Sequence, residues 1–317
     1  MWIVLGVPLG LVALSLAVQA VCITKILPIF EHRPPFGVES SPPDPDAETM
    51  AFPSTHGLTL RGSLYRTVSQ PARGLIVFCP EMGGNHWSAM SYAQALSDAG
   101  FHVFSFDFRN QGESDHLPGY DPLHWLSEYE VADLRAALTY VRKHPDLRTL
   151  PLGLFGISRG GCAALAVAAE CDDVKLVACE GLFTTRSMLL HYTLRWASLS
   201  VPNWLMKFAP LWHIRITLEM ARVASQFRRR CRYTVLERTL PRLRHRPVLM
   251  IADGRDTYVP TEIAEQLGRL IGGDKYKVWI VPEAKHNAGR QADPEGYDRR
   301  LVELFSEMTA DTTSAMT

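Results

Sequence analysis

Ser158 lies in the run Gly156-Ile157-Ser158-Arg159-Gly160-Gly161, between an apolar stretch at 152–155 and a small-residue stretch at 162–169. The pattern G-x-S-x-G alone is weak, because chance supplies it in many chains. Between a strand and a helix it becomes specific. A serine on a tight, strained turn needs small neighbours at both flanks, so that the backbone can pass close to strand and helix. Its Oγ is then exposed at the C-terminal edge of a sheet. The helix that follows points unpaired N–H groups at the site, where they stabilise developing negative charge. That is the layout of nucleophilic catalysis. The bland alternative is a glycine-rich strand–helix turn with an incidental serine.

A free serine hydroxyl is a poor nucleophile; it needs a base, and the base needs an orienting acid. Two later loops offer them. Asp253-Gly254-Arg255-Asp256 follows an apolar run at 248–252, and Pro282-Glu283-Ala284-Lys285-His286-Asn287 follows another at 277–281. Both leave the C-terminal ends of strands, which a parallel sheet gathers together. Asp256 is preferred over Asp253, because Asp253 stands immediately at the strand end. His286 is preferred over His102, which opens a strand, His144, which ends a helix, and His86, which precedes the serine. A surface-loop histidine is the alternative for His286.

The order Ser158, Asp256, His286 with its glycine-rich turn resembles the α/β-hydrolase superfamily. Three further stretches agree. The segment Asp107-Phe108-Arg109-Asn110-Gln111-Gly112-Glu113-Ser114 is similar to the family's loop D-x-R-G-x-G-x-S. Gly83-Gly84-Asn85 resembles the end of its oxyanion loop, and Gly181-Leu182-Phe183-Thr184 also fits. The likeness spans about residues 50–308 and is nearest to the serine-aminopeptidase-like and esterase-like branch, which includes membrane-anchored members. It implies backbone N–H groups of Met82 and Arg159 as the oxyanion hole. It also implies hydrolysis of a small carboxylic ester or acyl substrate through an acyl-serine, with no metal or organic cofactor. Thioester or peptide hydrolysis uses the same machinery. A departure stands at Pro80-Glu81, where the family has His-Gly. Turned inward, Glu81 opposes the oxyanion or selects a cationic or protonated substrate; turned outward, it is neutral. It also keeps a different class of function in view, a non-catalytic, membrane-tethered binding module.

The elements that must position these residues follow from hydrophobic period. Gly74–Cys79 is a continuous apolar run, as a strand buried on both faces requires, and Phe101–Phe106 reads as another buried strand. Further strands are expected at 58–66, 152–155, 174–179, 248–252 and 277–281. Helices are expected at 88–99, around Val131, Leu134, Leu138 and Val141, and at 262–271 and 297–305. Alternation of this kind predicts an α/β fold, a mostly parallel central sheet flanked by helices. The segment 186–240 breaks it. It holds Trp196, Trp204 and Trp212, then Arg222, Arg228, Arg229, Arg230 and Arg232. It is expected to be a helical excursion, either packed for its own sake or forming a cap whose apolar side meets substrate or membrane.

The chain has 317 residues, 47% apolar and 21% charged, with Lys+Arg and Asp+Glu both at 33. Such balance excludes disorder, collagen and coiled coil as descriptions of the whole, and argues against a nucleic-acid partner. The six cysteines have no zinc-ligand spacing and mostly sit in apolar runs, as buried thiols do. Residues 1–24 carry no charged side chain, and about 20 apolar residues suffice to cross a bilayer. A retained anchor is favoured over a cleaved signal peptide, since no basic segment precedes the run. Lys25 and Arg33 beyond it favour a cytoplasmic domain. The prolines and acidic residues at 25–49 predict an extended linker, with the hydrolase domain at 50–310, the cap within it and a disordered tail at 311–317.

Overall fold

Apolar runs bounded by turn residues fold into eight strands in the computed structural model, which describes residues 2–33, 40–200 and 210–314. The strands are β1 (Glu48–Pro53), β2 (Thr59–Tyr65), β3 (Gly74–Cys79), β4 (Phe101–Phe106), β5 (Leu152–Ile157), β6 (Val174–Glu180), β7 (Val248–Asp253) and β8 (Tyr276–Val281). They form one sheet in the order β1-β2-β4-β3-β5-β6-β7-β8. β1 and β2 are antiparallel, as is the pair β2 and β4; all later neighbours are parallel. Every residue of β3, β4, β5 and β7 is buried, which explains why these strands are mostly apolar with no regular polar alternation, His102, Ser105 and Asp253 being their polar members.

Register sets the functional edge. Cys79 pairs with Gly156, Ile157 with Glu180, Glu180 with Ile251, and Asp253 with Val281. The carboxyl ends of β3, β5, β6, β7 and β8 therefore finish side by side. The flanking helices are α2 (Ala89–Asp98), α3 (Glu128–Lys143), α4 (Arg159–Ala168), α7 (Thr261–Ile271), the short α8 (Gly289–Ala292) and α9 (Pro294–Ser314). Ala93 and Leu96 of α2 and Tyr297, Leu301 and Phe305 of α9 pack on Ile76, Phe78, Phe155 and Ile157 of the sheet. α9 comes so close that a Cβ at Gly153 would stand 2.6 Å from the Phe305 ring.

The remaining described residues form a separate compact unit. It consists of α1 (Trp2–Phe30), α5 (Thr185–Ser200) and α6 (Leu211–Arg229) with the chain to Tyr233. Within the excursion at 186–240, the described residues are α-helical up to Ser200 and from Leu211 to Arg229. Trp196 and Trp212 are 59% and 62% exposed, and Trp204 lies outside the described residues.

Three boundaries differ from expectation. α1 continues past residue 24 to Phe30, which is buried and meets Tyr233 edge-on at 5.3 Å; tertiary packing holds the last turn. β1 begins at Glu48, inside the expected linker. As an edge strand it tolerates Pro53, whose missing N–H would break an interior ladder. α9 runs on to Ser314, anchored by buried Phe305 and Met308, so 311–314 is helix where a tail was expected.

The stretch 107–114 is a bracing loop. Arg109 is fully buried and grips Asp133 of α3 through Nε at 2.9 Å and Nη2 at 2.7 Å. Its backbone N–H donates to the same carboxylate at 3.0 Å, its Nη2 donates to Thr55 Oγ1 at 2.7 Å, and its guanidinium lies 4.9 Å from the centre of the Tyr129 ring. Removing one partner of such a pair strands a buried charge. Asp133→Ala should therefore lower unfolding free energy by about 3–5 kcal/mol in urea titrations. A loss no larger than that of a surface substitution would contradict the bracing role.

Candidate active site

Ser158 occupies the one-residue corner between β5 and α4, with φ 51° and ψ −119°. Few non-glycine residues adopt positive φ, and such strain persists only where surroundings enforce it. Here the surroundings are glycines. A Cβ on Gly160 would lie 2.1 Å from the Cys79 carbonyl oxygen, and one on Gly156 would lie 2.6 Å from Gly161 N. The corner is sealed by Ser158 N–H donating to the Glu180 carbonyl at 2.7 Å. Arg159 opens α4, so its amide has no intrahelical acceptor. Its side chain turns away from the corner: Nη1 donates to the Leu123 carbonyl at 2.7 Å and lies 3.6 Å from Glu130. Glu130 belongs to the capping box that starts α3 with Ser127.

Ser158, Asp256 and His286 are brought together. Ser158 Oγ lies 3.4 Å from His286 Nε2, and His286 Nδ1 lies 2.6 Å from Asp256 Oδ2. The short second contact puts the imidazole proton on Nδ1 and leaves Nε2 as the acceptor facing the serine. Asp256 is fixed in turn by the amides of Tyr258 and Val259, which donate to its Oδ1 at 2.7 and 3.0 Å. Gly181, at φ 64°, fits against the imidazole; a Cβ there would meet His286 Cε1 at 3.2 Å and Asn287 Oδ1 at 2.5 Å. Asp253, Asp256 and His286 each offer a ligand atom within 4.8 Å of the others. The 2.6 Å separation of Asp256 Oδ2 and His286 Nδ1 is that of a hydrogen bond.

Two further acids hold the His286 loop: Asp253, set aside as the triad acid, and Glu180, which the sequence did not single out. Asp253 Oδ2 accepts from Asn287 N–H at 2.9 Å. Glu180 Oε1 accepts from Gly289 N–H at 2.8 Å, and its Oε2 accepts from the Tyr297 hydroxyl at 2.5 Å. Both are buried. Burial first, then the Glu180 charge, pushes Asp253 up to about 9; burial likewise raises Glu180. The signal available in the sequence was a carboxylate closing each apolar strand, at Glu180 and Asp253.

Met82 and Glu81 lie in the turn after β3, closed by Gly84 N–H donating to the Glu81 carbonyl at 3.1 Å. Met82 is half-buried. Glu81 turns inward and is buried, with its Oε1 accepting from the Tyr92 hydroxyl at 3.2 Å. Burial raises its pKa, which favours the neutral acid over an anion beneath the loop. The 107–114 loop supports this turn. Asp107 accepts from His86 N–H at 2.7 Å, and Gln111 Oε1 accepts from Gly83 N–H at 3.1 Å. Asp107, pushed up to about 7 by burial, also accepts from Glu113 N–H at 2.8 Å. His86, which donates or accepts at Ser63 over 2.7 Å, is part of this scaffold.

Comparison with known proteins places the chain. The family model described as serine aminopeptidase, S33, matches residues 70–290. The uncharacterized protein YfhR of Escherichia coli O157:H7 is 29% identical over 158 residues, 47% of this chain and 52% of that protein, so the match spans about half of that relative's length. The uncharacterized protein MT2364 of Mycobacterium tuberculosis is 26% identical over 260 residues, 81% of this chain and 77% of that protein. Among solved structures, the Pyrococcus furiosus esterase Pf2001 superposes with a TM-score of 0.61 at 16% identity, covering 87% of this chain and 97% of its own. That likeness is one of fold.

The buried Asp253 carboxyl makes a pH prediction. Its pKa is raised by folding, so the stability it contributes is complete below the unfolded value and drains as pH rises towards about 9. Asp253→Asn keeps an acceptor for Asn287 N–H but cannot ionise. Thermal melts should show the variant losing less stability than wild type between about pH 5 and about pH 9. Parallel pH profiles would count against a protonated Asp253.

Proposed function

The chain belongs to the serine aminopeptidase S33 family of α/β-hydrolases, and on that premise we propose that it is a serine hydrolase cleaving a small carboxylic ester through an acyl-enzyme. The observation that carries this reading is the continuous relay of 3.4 Å from Ser158 to His286 and 2.6 Å from His286 to Asp256 at the carboxyl edge of the sheet.

In this reading Ser158 Oγ attacks the ester carbonyl carbon while its proton passes to His286 Nε2. The carbonyl oxygen becomes an oxyanion, held by the backbone N–H groups of Met82 and Arg159. Collapse of the tetrahedral species breaks the bond to the alcohol, which leaves with the proton from His286. Water then attacks the acyl-serine, again through His286, and frees the acid. Asp256 keeps the imidazole in the right tautomer and favours its cationic form. The Ser158–His286 separation is at the long end for a hydrogen bond, and such contacts tighten when substrate binds. Burial pushes the Glu81 carboxyl towards its neutral form, which lessens the opposition an inward carboxylate would set against an oxyanion. Supporting the ester assignment is the fold shared with an esterase.

The test is kinetic. Ser158→Ala and His286→Ala should each cost at least about 10³-fold in kcat, and the double variant little more, because the residues act as a unit. Asp256→Asn should impair turnover far more than Asp253→Asn; the reverse ranking would move the acid's role to Asp253. Against matched p-nitrophenyl esters, acyl thioesters and aminoacyl amides, the ester should give the highest kcat/KM. A preference for amide would keep the acyl-serine and discard the ester, whereas near wild-type turnover by Ser158→Ala would remove the nucleophile itself.

A further inference from the structure

In the unit formed by the N-terminal helix and the excursion, α1 and α6 run side by side in the same direction. Ser15 Oγ meets His213 Nε2 at 3.0 Å, and Glu31 meets Arg228 at 3.3 Å. These contacts lie roughly four turns apart on each helix. α1 is long and apolar enough to cross a membrane, and Val12, Leu14, Leu16 and Val21 on it are more than half exposed. α6 is not. Arg215, Glu219 and Arg222 stand along its middle, and Glu219 is tied to Arg186 at 2.6 Å and to Arg222 at 3.0 Å. Yet Trp212, Ile216, Met220, Val223 and Phe227 recur every three or four residues, which places them on one face of the helix. All five are exposed, Phe227 by 79%. Beside Ile23 of α1, four of them, Ile216, Met220, Val223 and Phe227, line an open groove of about 630 Å³ that Arg215 and Glu219 also border.

These facts constrain how the pair can meet a bilayer. Because α6 is bound along α1, a spanning α1 would carry Arg215, Glu219 and Arg222 into hydrocarbon, which is costly for charged side chains. Lying in the interface satisfies both helices. Apolar faces sink to the acyl boundary, charges stay among headgroups, and an indole such as Trp212 suits the level between them. We propose that α1 and α6 together form a monotopic membrane-binding face, lying in the plane of an anionic bilayer surface instead of crossing it. The anionic character follows from charge. α6 carries Arg215, Arg222, Arg228 and Arg229 against the single acid Glu219, although the whole chain is balanced. Basic residues beside an inserted apolar face draw it to acidic lipids.

The test uses the full chain with an epitope tag at each end, reconstituted into vesicles of phosphatidylcholine and phosphatidylglycerol. After external proteolysis, the two tags should be lost together or kept together on each molecule. Loss of one tag with retention of the other means a spanning α1 and overturns the proposal. In flotation, the double variant Ile216→Asp, Phe227→Asp should bind at least about tenfold less, through lost burial of two apolar side chains. Wild-type flotation by that variant, shown folded by circular dichroism, overturns the α6 contribution. Arg215→Glu, on the charged flank, gives an independent reading. It should weaken binding to the mixed vesicles several-fold and leave binding to pure phosphatidylcholine unchanged. Unchanged binding to both overturns the anionic surface.

Discussion

The geometry of the site depends on a single corner of backbone. Ser158 holds positive φ between a buried strand and a helix, and it does so because no side chain stands between β5, α4 and the end of β3. A methyl group at Gly160 would collide with the Cys79 carbonyl, and one at Gly156 with the start of α4. Close passage of three backbones fixes where Oγ points. Arg159 opens the helix that follows, so its amide has no internal acceptor. The parallel register then brings the ends of β6, β7 and β8 beside that corner, so the loops carrying Asp256 and His286 begin within reach.

Around the corner, acids of the same type do different work according to burial. Asp256 is oriented by two amides and faces His286. Three residues earlier, Asp253 accepts from the Asn287 amide in the loop after β8, where burial and Glu180 favour its neutral form. Glu180 holds Gly289 and Tyr297. Together these two acids tether the chain just after His286, through the Asn287 and Gly289 amides, while Gly181 fits against the imidazole. Glu81 obeys the same physics: placed away from water, it keeps its proton more readily.

Much of this was legible in the sequence, for identifiable reasons. Gly74–Cys79 reads as a buried strand because it has no polar alternation, and the glycines around Ser158 are needed by any strand–turn–helix corner. Asp256 and His286 were accessible because parallel strands place their following loops at one edge. β1 was not accessible: Pro53 and the prolines before it mimic a linker, and only pairing with β2 makes the segment a strand. The extension of α1 to Phe30 rests on packing against Tyr233, which no local pattern encodes. The direction of Glu81 and the loop-tethering use of Glu180 and Asp253 depend on burial, and a lone acid at a strand end carries no such information.

The central claim is that Ser158 is the reacting group, and it is tested most directly by locating a covalent adduct. The full-length protein, treated with a fluorophosphonate and digested, is read by tandem mass spectrometry. The account predicts one stoichiometric phosphonyl group, on the peptide that contains Ser158 and assigned to that serine. An adduct on a different serine, or none on a folded protein, would contradict it.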